Sequence, residues 1–171
     1  MKFFSANLED LRALYVNSLQ KALDMEVQIA KALHTMIANA TDQQLRHAFR
    51  NHLEETYGHV SKVERLLHAL GKDETIKCNV INALITDAED SIKDAGDEAV
   101  RDVTLIAAAQ QVEHHEIAIY GTLRTWANLL GEGEQSDVLE TILADEKHAD
   151  MLLTGVAGRL NSTAEAYATA F

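Results

Sequence analysis

The stretch LEDLRALYVNSLQKALDMEVQIAKALHTM, residues 8–36, decides the fold. Its members Leu8, Leu11, Tyr15, Leu19, Ala22, Glu26, Ile29, Leu33 and Met36 recur at intervals of three and four, which lays them along one face of an α-helix. Eight of the nine suit a core. The ninth, Glu26, stands at the centre of the stripe where a leucine or valine belongs. A carboxylate buried without a partner costs several kcal/mol, so this position asks for a positive charge inside the fold.

The same interruption recurs along three further stripes. The second runs Leu45, Phe49, His52, Thr56, His59, Val63, Leu66 and Leu70 and ends at Gly71, with Glu55 one turn beyond His52 and beside His59. A third runs from Val100 through Val103, Ile106, Gln110, Glu113, Glu116 or Ile117, Tyr120 and Leu123. The fourth takes in Val138, Ile142, Asp145 or Glu146, Ala149, Val156 and Leu160, after which 161–171 reads as a frayed or docked tail. Asn7 is a candidate cap for the first helix, and Thr41 or Asp42 for the second. With a short helical stretch carrying Ile81, Leu84, Ile85 and Ile92, the pattern predicts helices over about 7–38, 42–70, 79–93, 98–130 and 135–160 of a single domain covering 1–171.

Counting from the turns places the misfits at one depth. Glu26 lies about 14 residues before the turn at Ala40 and Glu55 about 15 after it, so at ~1.5 Å per residue both sit ~22 Å below that tip. Around Gly131, Glu116 and Glu146 stand 15 residues before and after. The two hairpins form a weak internal repeat offset by 90 to 91 residues, pairing Leu33 with Leu123 as well as Glu26 with Glu116. Two tight hairpins joined by one long crossover give an all-α, ferritin-like four-helix bundle in which the second and third long helices run parallel.

Composition agrees and excludes other classes. No proline, 5% aromatic residues and abundant Ala, Leu, Glu and Gln favour helix over sheet. A formal net charge of -12 with scattered Lys and Arg argues against nucleic-acid and anionic-membrane partners. The lone Cys78 forms no internal disulfide and reads as a small buried apolar residue. Met1 to Ser5 turns polar too soon for a signal peptide, and no run reaches membrane-spanning length, so the expected location is cytoplasmic.

Residues three or four apart share a helix face, so His52 with Glu55, Glu55 with His59, Glu113 with Glu116, and Glu146 with Asp150 can each reach a common site. Carboxylate oxygens with one or two imidazoles suit iron or manganese better than zinc. Two metal ions are favoured over one, because bridged cations cancel the charge that four or five carboxylates bring. His114 and His115 cannot both face inward, and His148, two residues past Glu146, points about 200° away from it. Tyr120 is either a hydrogen-bond donor to a ligand or a packed core tyrosine.

The stretches His52-Leu-Glu-Glu-Thr56, Leu105-Ile-Ala-Ala-Ala-Gln110, Val112-Glu-His-His-Glu-Ile117, Tyr120-Gly-Thr-Leu123 and Asp145-Glu-Lys147 resemble the bacterial YciE/YciF family of ferritin-like proteins over nearly the whole chain. The resemblance implies a bundle with a crossover helix, a dinuclear metal centre, a homodimer and a link to stress response. It implies Glu26, His52, Glu55, Glu113, Glu116 and Glu146 as metal ligands, with Asp150 behind them; His59 is a further candidate from its place on the helix face beside Glu55, not from the resemblance. The usual Glu-x-x-His order of ferritin-like proteins is reversed here in His52-x-x-Glu55, and Glu146 lacks a histidine three residues on. The expected activity is reaction of iron or manganese with dioxygen or peroxide; the alternatives are iron storage, or a structural or partner-binding bundle stabilised by its metal.

Overall fold

Five helices account for nearly all of residues 8–168, the part of the chain that the computed structural model describes: α1 (Leu11–Asn39), α2 (Gln43–Ala69), α3 (Asn79–Asp94), α4 (Glu98–Leu129) and α5 (Gly133–Ala168). Local chemistry sets their ends. Asp10, Asp42 and Asp97 accept from the backbone N–H groups of Ala13, Leu45 and Val100, capping α1, α2 and α4. Asp10 rather than Asn7 therefore caps the first helix, and Asn7 lies outside the described residues. Gly71 and Gly131 take the left-handed conformation, at φ 69° and 77°. At both, the N–H of the following residue returns to a carbonyl five residues earlier, closing α2 and α4 as a Schellman motif. α5 continues to Ala168, two turns past the Leu160 at which the apolar stripe ends.

α1 with α2 and α4 with α5 form the two antiparallel hairpins, and α1 packs on α4 and α2 on α5 to complete the bundle. Buried leucines and isoleucines from Leu19 and Leu33 to Leu139 and Leu160 fill it, each worth roughly 1.5–3 kcal/mol when removed from water. The segment after Gly71 runs back beside α1, where Ile76 N–H donates to the carbonyl of Gln20 and Cys78 N–H to Asp24. It leads to α3, which lies across α1 and α4 and buries Ile81 and Ile92. Cys78 is a buried free thiol at the start of α3.

Contacts at each end fix the directions of the helices. At one end the buried Asp102, in the second turn of α4, accepts from the Thr41 N–H at 2.8 Å, the Thr41 hydroxyl at 2.6 Å and the Asp42 N–H at 2.8 Å. Arg159 of α5 pairs with Asp42 at that same end. At the other, Arg12 pairs with Glu132, and the Tyr15 hydroxyl donates to Gln135 inside the core. α2 and α4 thus begin at the same end and run parallel, as one long crossover requires.

Candidate metal centre

Halfway along the bundle five acidic and imidazole side chains are as buried as the leucines around them. Glu26 comes from α1, His52 from α2, Glu113 and Glu116 from α4, and Glu146 from α5; His59, on α2, joins them at 1% exposure. Their ligand atoms fall into two groups, each with donors within 4.8 Å of one another. His52, Glu113, Glu116 and Glu146 make the first, and Glu26, His59 and Glu146 the second. Glu146 belongs to both. Its Oε2 lies 3.8 Å from His52 Nε2, while its Oε1 lies 2.9 Å from His59 Nδ1.

These atoms are close without being hydrogen-bonded. Glu26 Oε2, His52 Nε2, His59 Nδ1, Glu113 Oε2 and both carboxylate oxygens of Glu116 and of Glu146 are buried with no hydrogen-bond partner. Buried polar groups are nearly always paired, and each one left unpaired costs about 1–3 kcal/mol, more when charged. So many unpaired acceptors facing one another in a single core fit a cation among them. The buried His and Glu side chains can hold a metal ion.

Outer contacts orient the ligating groups. His59 turns Nδ1 inward and directs Nε2 to Asp145 Oδ2 at 3.1 Å; Asp145 also takes Lys62 Nζ at 3.2 Å. His52 turns Nε2 inward, 3.3 Å from Glu113 Oε1, and directs Nδ1 toward Glu55 at 3.4 Å. Each imidazole therefore has one nitrogen in the cluster and the other against an outer carboxylate, the arrangement that fixes the tautomer of a metal-ligating histidine. The Tyr120 hydroxyl donates to Glu26 Oε1.

In the absence of a cation the cluster shifts toward its protonated forms. Burial, reinforced by the charge of Glu146, raises Glu26 from 4.5 to about 7. Burial likewise raises Glu113 from 4.5 to about 8, with His52 opposing and Glu146 adding to the rise, and it pushes Glu116 well above the usual carboxylate range. Burial works against a charged His52, but the bond to Glu55 and the carboxylates of Glu113, Glu146 and Glu26 outweigh it and lift the imidazole from 6.5 to about 9.

Two of the residues expected from the sequence lie outside both donor groups. The Glu55 side chain is 42% exposed and reaches only the outer nitrogen of His52. Asp150 accepts from Gln110 at 3.0 Å and sits 3.5 Å from His114. The cause is helix geometry: His59, seven residues after His52, completes nearly two turns and returns to the same line, whereas Glu55 is displaced around the helix by about 60°. That seven-residue spacing was the signal that placed His59 inside. Asp145 carries no such signal, since its role depends on α2 lying alongside. His34, His47, His68, His114 and His148 are exposed.

Fold and site together define a ferritin-like helical bundle with a carboxylate–imidazole cluster at mid-height. The chain belongs to the DUF892 family, a domain of unknown function, which it matches over residues 10–168. It is similar to Protein YciF of Escherichia coli strain K12, with 35% identity over 162 residues that cover 93% of this chain and 98% of the relative. The crystal structure of the E. coli stress protein YciF superposes with a TM-score of 0.86 at 33% identity, covering 90% of this chain and 98% of that one. YcfI of Rhodopseudomonas palustris, provisionally described as a structural protein, gives 0.85 at 37% identity over 89% of this chain and 98% of its own. A Xanthomonas campestris protein, at 22% identity and a TM-score of 0.72 over 94% of this chain and 97% of its own, shares the fold. No described helix is long and apolar enough to cross a membrane.

Proposed function

We propose that this protein is a dinuclear non-haem metal protein whose centre holds two ions, iron or else manganese, and reacts with dioxygen or hydrogen peroxide in a stress response. The observation that carries this reading is Glu146, whose two unpartnered oxygens face the two donor groups separately, one toward His52 and one toward His59. Four buried carboxylates, Glu26, Glu113, Glu116 and Glu146, match the charge of two divalent cations, and the two imidazoles then bind as neutral ligands. A donor set of oxygen and imidazole without thiolate suits iron and manganese. The stress setting is supported by the E. coli relative, which is called a stress protein.

Bound iron or manganese supplies the redox chemistry toward the oxidant. The chain's own residues bind and orient. Glu146 bridges the two groups, Tyr120 holds Glu26 in place through its hydroxyl, and Asp145 and Glu55 hold the tautomers of His59 and His52.

The test is metal analysis of protein purified without chelator, followed by anaerobic loading with ferrous iron and addition of dioxygen or peroxide. Two ions per chain and oxidation faster than in Glu146→Ala are expected. One ion or none, or a rate no faster than that of free ferrous iron, refutes the reading. The description of the R. palustris relative as structural favours a second reading, a bundle that keeps metal for stability alone. Two tightly bound ions with no turnover of either oxidant would select it.

A further inference from the structure

The crossover helix covers a small cavity with almost wholly apolar walls. It lies between α1, α3 and α4, has a volume of about 40 Å³, and is walled by Ile29, Met36, Ile85, Ile92 and Val112. It extends from exposed Thr35 and Glu89 at the rim to buried His52 and Glu113. Ala32, Ala88, Ala108 and Ala109 leave the space open by being small. His52 Nε2 and Glu113 Oε2 are two of the buried atoms without a hydrogen-bond partner.

We infer that this apolar cavity is a compartment for dioxygen, opening onto the His52–Glu113 edge of the centre. The inference rests on the reading of that centre as a site of oxidant chemistry and narrows it to one oxidant at this entrance. Size and polarity select the occupant. Since one water-sized sphere needs roughly 10–15 Å³, a cavity of about 40 Å³ holds a molecule of two or three heavy atoms and no organic substrate. The walls between rim and inner end offer almost no hydrogen-bonding groups, so metal cations and hydrogen peroxide would lose their hydrogen bonds to water on passing along them while an apolar diatomic gas loses almost nothing. A second cavity, of about 100 Å³ between α2 and α5, reaches His52 and Glu113 from the other side and is lined by Asn51, Glu55 and His148. Its wall is mixed, with Phe49, Leu152 and Leu153 beside those polar groups, which give hydrated species the hydrogen bonds that the first cavity lacks.

Dioxygen is paramagnetic, so its residence can be read on the metal-free protein without any reaction. Under dissolved oxygen, the methyl protons of Ile29, Ile85 and Val112 should relax severalfold faster than those of Leu19 and Leu139, which are buried in the core but do not line the cavity. Ala108→Phe, and independently Ala88→Leu on the less buried α3, should abolish the difference. With ferrous iron loaded, the same variants should slow oxidation by dioxygen severalfold and leave the rate with hydrogen peroxide unchanged. Equal relaxation at cavity and core methyls overturns the inference, and so does oxidation by dioxygen at the wild-type rate in both filled variants. Cavity relaxation in a wild type whose bound iron neither oxidant touches supports the gas compartment and refutes the reading of the centre.

Discussion

Removing metal should make the stability of this protein depend steeply on pH, and the direction follows from the buried cluster. Glu113 rises from 4.5 to about 8 in the folded chain, which at about 1.4 kcal/mol per pH unit is worth roughly 5 kcal/mol. Glu26, raised to about 7, and His52, raised from 6.5 to about 9, are each worth roughly 3 kcal/mol on the same scale. In all three the folded state binds its proton more tightly than the unfolded chain. The stabilisation is therefore complete below the unfolded values and is lost as pH rises through the folded ones. Metal-free protein should lose several kcal/mol between pH 5 and pH 9, with the carboxyls responsible from 4.5 to 8 and His52 from 6.5 to 9. The assay is urea unfolding at a series of pH values in the presence of chelator, repeated with metal bound. Metal replaces the protons, so the loaded protein should hold its stability at neutral and alkaline pH. Glu146→Gln, which removes a charge that raises both Glu26 and Glu113, should flatten the metal-free profile. Metal-free stability that is level or climbs between pH 5 and 9 would falsify the account of the cluster as buried acids and imidazoles that hold protons in place of a cation.

Tyr120→Phe leaves Glu26 Oε1 without its donor and should weaken binding at the Glu26–His59 group while costing the metal-free protein about 1–3 kcal/mol, read by calorimetric metal titration and urea midpoint. Asp145→Ala takes away the acceptor for His59 Nε2, and metal affinity measured by competition with a chelator should fall roughly 10- to 100-fold; an unchanged affinity would exclude His59 as a ligand. Asp102→Ala frees the N–H groups of Thr41 and Asp42 at the start of α2 and should destabilise by about 3 kcal/mol, with metal content per folded chain the same as in the wild type. Glu55→Gln should retain both metals, whereas Glu113→Gln should lose one; equal loss in the two would move Glu55 into the centre.

The periodicity of the sequence was enough to determine that the chain is helical, where the four long helices run apart from the end of the last, and that Glu26, His52, His59 and Glu113 lie on core-facing stripes, while Glu116 against Ile117 and Glu146 against Asp145 stayed open on their own helices. Counting from the turns put Glu26, Glu55, Glu116 and Glu146 at one height. A 3.6-residue repeat fixes each side chain's angle on its own helix, and 1.5 Å per residue fixes its height, so both can be read without a neighbour. The tertiary structure alone decided how each helix is rolled about its axis and which partner it meets. A small roll of α2 brings His59 to the centre and sends Glu55 to the rim, because the two positions differ by less than a quarter turn. The sharing of Glu146 between two donor groups, the reach of Tyr120 to Glu26, the hold of Asp145 on His59 and the clamp of Asp102 on the first hairpin all join residues more than 60 apart or on different helices. Such contacts depend on the packing angles and separations of whole helices, which side-chain interlocking sets and no single stripe encodes.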